Sequence, residues 1–258
     1  MKLTADFHTH TRYSHGKGTI LDNAMAGKQL GLDTIAITDH GFSHIVMGLN
    51  SAKMPNYVKD CKNATQQTGV NVLVGIESNV LSVNGDVDLL PNRYDDFDVF
   101  LAGAHKLVWY KWGSLFTYGV PNVLKSFFKH KTASQTLIKN TTKALVETIK
   151  KNPVDIITHL SYCVYLDPVE VAKVACDYGT YIELNARKVH LTDEELYQVA
   201  KTGVRFVINS DAHDPKKIGD ITLVEEILKR VDIPLDRIDN IDGRYPNFRF
   251  KAYKEKSL

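Results

Sequence analysis

The chain has 258 residues, 43% hydrophobic and 24% charged, which suits one α/β barrel or a two-domain soluble enzyme with a sizeable core. A formal charge of +2 points to no nucleic-acid or membrane-surface partner, and the opening "MKLTADFHTH" lacks the apolar run of a signal peptide or membrane span. Three cysteines, Cys61, Cys163 and Cys176, form no CxxC pair, which fits a reducing cytoplasm and sets a disulfide scaffold aside.

The first strand is expected in "LTADFH", closing on His8 and His10, with His15 in the loop behind. His8 and His10 stand two apart on extended chain, so their side chains share a side. A helix follows in "TILDNAMAGKQLG", ending on Gly31 as C-cap. The second strand, "DTIAITDH", ends in Asp39-His40, and the third, "NVLVGIESNV", carries Glu77. Asn84-Gly85 in "SVNGDVDL" marks an inserted hairpin. The fourth strand, "DVFLAGAH", ends in His105. From Val99 to Val146 there is no Asp or Glu, but there are seven lysines: Lys106, Lys111, Lys125, Lys129, Lys131, Lys139 and Lys143. The same stretch carries Trp109, Tyr110, Trp112, Phe116, Tyr118, Phe127 and Phe128. Residues 106–146 read as a basic, aromatic-rich insertion in one domain spanning 1–258. Its lysines either face water on an amphipathic helix or form a lid over an anionic substrate.

The fifth strand, "VDIITHLS", ends in His159. A helix in "DPVEVAKVACDYG" takes Asp167 as N-cap and Pro168 in its first turn. The sixth strand, "TYIELNAR", offers no obvious ligand, but Asn185, Arg187 and Lys188 follow its apolar run. Thr192 and Glu195 form a capping box for the next helix, "TDEELYQVAKTG". The seventh strand, "VRFVINSDAH", ends in Asp211 and His213. Short, continuously apolar strands alternating with helices predict a parallel sheet covered on both faces.

Nitrogen and carboxylate groups thus fall at the C-terminal ends of six strands, and in a parallel barrel those ends converge on one face. His8, His10, His15, His40, Glu77, His105, His159, Asp211 and His213 are nine candidate ligands. Four-coordinate zinc takes three or four protein groups, so two or three ions are implied, with a carboxylate such as Glu77 bridging. Imidazole with carboxylate suits Zn, Mn or Fe. His44, His130 and His190 lie outside this pattern and read as surface or loop histidines.

In their order, "DFHTHTRYSHG", "AITDHG", "GIESNV", "AGAHK", "ITHLS" and "NSDAHD" resemble the motifs of the PHP (polymerase and histidinol phosphatase) metal-dependent phosphoesterases, from residue 6 to 214. The resemblance implies a distorted (β/α)7 TIM-like barrel with three divalent ions at the C-terminal ends of the strands. It further implies one ion on His8, His10, Glu77 and Asp211, a second on His15, His40 and His213, and a third on His105, His159 and bridging Glu77. The chain has His15 where the family often has Asp, Leu160 where many members have Pro, and a longer stretch between His105 and His159.

The implied activity is a phosphatase, in which a metal-activated water hydrolyses a small phosphorylated substrate; histidinol phosphate is one option, and phosphotyrosine or general small phosphates are others. Asp39, Glu77, Asp211 and His213 are the catalytic candidates, Asp39 as general acid or, in the favoured reading, as a brace on a ligand. Arg187, Arg12 and Lys106 are the candidates for holding phosphate; an arginine can do so through two parallel N–H···O bonds. The alternatives are a phosphodiesterase or 3'-5' exonuclease acting on nucleic-acid ends, which the low overall charge disfavours, and a non-catalytic metal-dependent regulatory module, which the full ligand set disfavours. No cysteine begins a C-x5-R phosphate loop, which sets aside a cysteine-based phosphatase.

Overall fold

The computed structural model describes residues 1–128 and 132–257. Lys129, His130 and Lys131, named above, lie outside the described residues. All seven expected strands form: β1 (Ala5–Thr9), β2 (Thr34–Ile37), β3 (Asn71–Asn79), β4 (Val99–Gly103), β5 (Ile156–Ile157), β6 (Tyr181–Asn185) and β7 (Phe206–Asn209). They pair in parallel in that order. The ring is drawn together where Thr9 bridges Ala212 in parallel and the His10 amide donates to the Ala212 carbonyl at 2.8 Å. The result is a nearly closed, distorted (β/α)7 barrel.

The helices begin and end where local chemistry directs. A capping box between Thr19 and Asp22 opens α1 (Ile20–Leu30), and Gly31 closes it in the left-handed region at φ 68°. The next helix is α2 (Met54–Thr68). No α-helix joins β3 to β4. The chain turns back at Asn84-Gly85, so that Val80 and Val87 pair in antiparallel fashion, and then makes a 3-10 turn over Pro91–Asp96. After β4 come α3 (Val120–Phe127) and α4 (Gln135–Lys151). Asp167 accepts from the amides of Val169 and Glu170 at the start of α5 (Pro168–Tyr178), and Thr192 with Glu195 boxes the start of α6 (Asp193–Lys201). The last helices are α7 (Thr222–Leu228) and α8 (Arg249–Ser257). Among the described residues, no helix is long and apolar enough to cross a membrane.

The acid-free stretch is two kinds of structure rather than one insertion. α4 buries Leu137, Ala144, Leu145 and Ile149 and packs against α5, as the outer helix of a βα unit should. The extra material lies before it. There Trp109, Trp112, Phe116, Phe127 and Phe128 are exposed.

Two apolar layers hold the barrel. The larger lies between sheet and helices. The smaller fills the ring, with Ala5, Phe7, Ala36, Val99, Leu101, Ile156, Tyr181 and Val207 drawn from six strands. Phe248 closes its floor, edge-on to Phe7 at 4.9 Å and to Tyr181 at 5.9 Å. Buried Asp155 fastens this floor: its carboxylate accepts from the Phe100 amide at 3.0 Å and from the Phe250 amide, in the first turn of α8, at 2.8 Å.

The register of β1 against β2 slips between Asp6 and Thr9. Phe7 faces the ring interior, and the irregularity brings His8 to the same side rather than the opposite one. A bulge of this kind re-aims a side chain at the cost of one ladder position. Asp6 supports it from beneath, accepting from the amides of Ser210 and Gly219 at 3.1 and 3.0 Å.

Candidate metal centre

The upper mouth of the ring gathers the nine candidate side chains. His8, His10, His40, Glu77, His105, His159 and Asp211 are buried. His213 is half-buried, and His15 reaches over the group from its loop with its ring parallel to His40 at 4.8 Å and 4.1 Å from that of His213.

Glu77 is at the centre. Its Oε1 lies 2.7 Å from His159 Nε2, 3.1 Å from His105 Nε2 and 3.4 Å from His8 Nε2. Its Oε2 lies 2.9 Å from His40 Nδ1 and 3.6 Å from His10 Nε2. His8 Nε2 and His10 Nε2 approach to 3.0 Å, and Asp211 Oδ1 lies 3.3 Å from His10 Nε2. Three sets place all their donor atoms within 4.8 Å of one another: His8, His10 and Asp211; His10, His40 and His213; and His40, Glu77 and His105. The sets share His10 and His40, whereas the groups the resemblance implies share Glu77 alone.

The donor chemistry fits cations. His40 Nδ1, Glu77 Oε2, both ring nitrogens of His105 and His159 Nδ1 are buried without a well-formed hydrogen bond among the described residues, although His40 Nδ1 and His105 Nε2 stand 2.9 and 3.1 Å from the Glu77 oxygens. Leaving buried polar atoms in this state costs about 1–3 kcal/mol each unless something satisfies them. Of these residues, His40, Glu77 and His105 bring one donor atom each within 4.8 Å of one another, a space that a divalent ion would satisfy.

The electrostatics follow from burial and crowding. Burial pushes the Glu77 carboxyl up, but His105, His8 and His159 outweigh it and hold the group well below the usual carboxylate range. Burial lowers His105 to about 4 against the pull of Glu77, so its imidazole is neutral and able to ligate at neutral pH. Burial also lowers His10 well below the usual histidine range, with His40 and His213 adding to it.

The surrounding residues fix these rings. Glu183, which lies within the apolar run of β6, accepts at 2.7 Å from His8 Nδ1, directing Nε2 into the cluster. Its other oxygen accepts from the His159 amide at 2.7 Å and from Asn185 Nδ2 at 2.9 Å. The sequence reading passed over Glu183. Its one signal was a carboxylate within a buried strand, two residues before Asn185 and so on the same face. Asp39 turns away from the cavity. It accepts from the Thr11 amide at 2.8 Å, from Thr11 Oγ1 at 2.6 Å and from Ser14 Oγ, and so holds the turn that carries His15.

His159 sits in a strained loop. His159, Ser161 and Cys163 have φ of 27°, 71° and 53°, a backbone region costly for residues with a Cβ. Gly103 makes room for it: a Cβ there would stand 2.3 Å from Thr158 Oγ1 and 2.9 Å from the His159 ring. The loop presents Tyr162, a residue the sequence did not flag, with its ring 4.9 Å from that of His159.

The cluster opens into a cavity of about 550 Å³. Arg187 lines it, with one guanidinium nitrogen 3.1 Å from His213 Nδ1 and 3.6 Å from Asp211 Oδ2. Lys106 and Lys188 also line it. Arg12 does not; it is exposed, and its charge is felt by Asp22 at the start of α1. His44 and His190, expected as surface or loop histidines, lie in loops but are half-buried cavity walls, His44 stacked on His40 at 4.9 Å and His190 beside Tyr162 at 5.1 Å. The acid-free stretch reaches the cavity through Lys106, Leu107 and Phe127, whereas the Lys125 ammonium donates to the Thr132 carbonyl.

Comparison with known proteins gives the same picture at three levels. The PHP domain model matches residues 6–187. A protein of Shewanella loihica named "Probable phosphatase" is 30% identical, over 93% of this chain and 90% of its own length. A second, from Thermoanaerobacter sp. (strain X514), is 29% identical over 94% of this chain and 92% of its own. Among solved structures, the histidinol phosphate phosphatase of Lactococcus lactis subsp. lactis, complexed with zinc, L-histidinol and phosphate, superposes with a TM-score of 0.59 at 13% identity. That alignment covers 91% of this chain and 95% of the other, and is a likeness of fold.

Proposed function

The chain belongs to the PHP domain family, and from that premise we propose that it is a metal-dependent phosphomonoesterase acting on a small phosphorylated substrate. The observation that carries the reading is the three sets of buried or half-buried imidazole and carboxylate donors, each within 4.8 Å, at the mouth of a cavity that Arg187 also lines. His8, His10, Glu77 and Asp211 would hold one ion, His15, His40 and His213 a second, and His105, His159 and Glu77 a third. Divalent ions held there lower the pKa of a coordinated water towards neutrality and neutralise a phosphoryl group.

The chain's own side chains do the rest. Glu183 keeps the His8 proton on Nδ1 and so leaves Nε2 free to ligate. Asp39 braces the turn carrying His15. Arg187 faces the cavity beside Asp211 and His213, where its planar fork can orient a dianionic phosphate. A cavity of about 550 Å³ is of a size that suits a small ester.

The test is direct. Protein purified without chelator is expected to carry close to three ions and to release phosphate from a panel of sugar, nucleotide, amino-alcohol and phosphotyrosine monoesters. Chelation should abolish release, and Zn, Mn or Fe should restore it. Full activity with one ion would refute the three-ion assignment. Release indifferent to chelation, or a preference for bis(p-nitrophenyl) phosphate over every monoester, would sink the reading itself.

Arg187→Ala is expected to leave metal content intact and to lower kcat/KM by about 1–3 kcal/mol, the range for losing a charge-assisted hydrogen bond. Arg187→Lys should restore only part, because a point charge cannot reproduce the fork. Wild-type turnover in the alanine variant would place the phosphate clamp elsewhere.

A further inference from the structure

The cavity wall has cations to spare and no spare anion. Lys106, just past β4, holds its ammonium 5.4 Å from the centre of the Phe127 ring and 5.7 Å from that of Tyr162. Lys188 follows Arg187 beyond β6 and lines the same cavity. Among the described residues neither lysine has a carboxylate within 4.0 Å. The described carboxylates lining the cavity are Glu77 and Asp211. Both are spent: Glu77 is ringed by His8, His10, His40, His105 and His159, and Asp211 by His8, His10, His213 and Arg187.

This inventory bears on the part of the substrate that is not hydrolysed. An organic group held in this cavity meets apolar and aromatic surface from Leu107, Phe127 and Tyr162 and the ammonium groups of Lys106 and Lys188, all of which line it. A substrate ammonium would find no free acceptor of opposite charge and would face Lys106 and Lys188 at close range, a like-charge penalty. An oxyanion would meet two unpaired donors, one of them set over ring faces where water competes less.

We propose that the preferred substrate is a phosphomonoester whose organic part carries a second oxyanion, received by Lys106 and Lys188, and that esters bearing an ammonium are discriminated against. This rests on the phosphomonoesterase reading above.

Four aryl phosphates test it, each with the charge held off the ring by a methylene so that leaving-group basicity stays matched. They are 4-methylphenyl, 4-(carboxymethyl)phenyl, 4-(phosphonomethyl)phenyl and 4-(aminomethyl)phenyl phosphate. The metal-loaded protein is expected to favour the two anionic esters over the neutral one in kcat/KM on the order of tenfold, and to disfavour the ammonium ester by a similar factor. The two anionic arms decide between carboxylate and phosphate as the second group. In the Lys106→Met, Lys188→Met double variant the ratio of anionic to ammonium ester should fall towards one. If that variant does not fold, Lys188→Met alone, at an exposed position, should roughly halve the logarithm of the ratio. Equal or better turnover of the ammonium ester overturns the proposal, as does a ratio that survives the substitutions. Phosphate release from all four esters without charge preference defeats this inference and leaves the phosphomonoesterase reading standing. No release from any defeats both.

Discussion

Glu77→Gln is expected to be among the most damaging single substitutions, lowering phosphate release by more than about 100-fold and stripping metal from the purified protein. Losing an outer support of a ligand typically costs about 10–100-fold in metal affinity or activity, and Glu77 is proposed as a shared ligand rather than a support. Its two oxygens reach His8, His105 and His159 on one side and His10 and His40 on the other. The amide removes the charge that would offset the two cations proposed to share Glu77. It also sets an N–H2 donor where one oxygen served, facing imidazole nitrogens required as acceptors for metal. Metal analysis by mass spectrometry, run beside a phosphate-release assay, reads both effects. Wild-type metal content with wild-type rate would remove Glu77 from the centre of the site.

Glu183→Gln is the second, and it separates support from ligation because Glu183 is positioned behind His8. A glutamine can still accept from His8 Nδ1 with its single oxygen. Its amide nitrogen then faces the His159 amide and Asn185 Nδ2, donor against donor, where the carboxylate accepted from both. With the charge gone, His8 also becomes a weaker base and a weaker ligand. The expected result is a 10–100-fold loss of metal affinity in chelator competition, with activity recovering as metal is added in excess. An unchanged competition curve would show that His8 needs no partner behind it. Activity that stays low at saturating metal would show that Glu183 acts on more than affinity.

Much of this was legible in the chain because the barrel converts position along each strand into position in space. His40, His105, His159 and Asp211 close apolar runs, and parallel strands bring such ends to one mouth whatever lies between them. What stayed hidden depends on neighbours that no local pattern names. The shared side of His8 and His10 follows from alternation, but the bulge that lets Phe7 and His8 both face inward does not, since it is set by pairing with β2. Glu183 looked like an ordinary strand residue until His8 arrived from the far edge of the sheet. His44 and His190 fall outside the strand-end pattern, so nothing local marks them, yet their loops line the cavity. Arg12 erred in the other direction: its place between His10 and His15 suggested the site, but the turn that delivers His15 directs Arg12 outward. The acid-free stretch misled at its C-terminal half, where α4's sparse acid content reflects a helix buried against α5.

Biosynthesis runs in a direction that the barrel floor does not follow. His213 completes the nine gathered side chains, but Phe248, and the Phe250 amide that Asp155 receives, arrive later. While that last stretch is still inside the ribosomal exit tunnel, the lower mouth of the ring is open to water and the Asp155 carboxylate lacks the Phe250 amide. A nascent chain ending after α7 would therefore own every proposed ligand and still lack its stopper. Nonsense mutations falling between His213 and Phe248 should yield products with an intact donor inventory and a leaking barrel, removed by proteases rather than silenced at the chemical step.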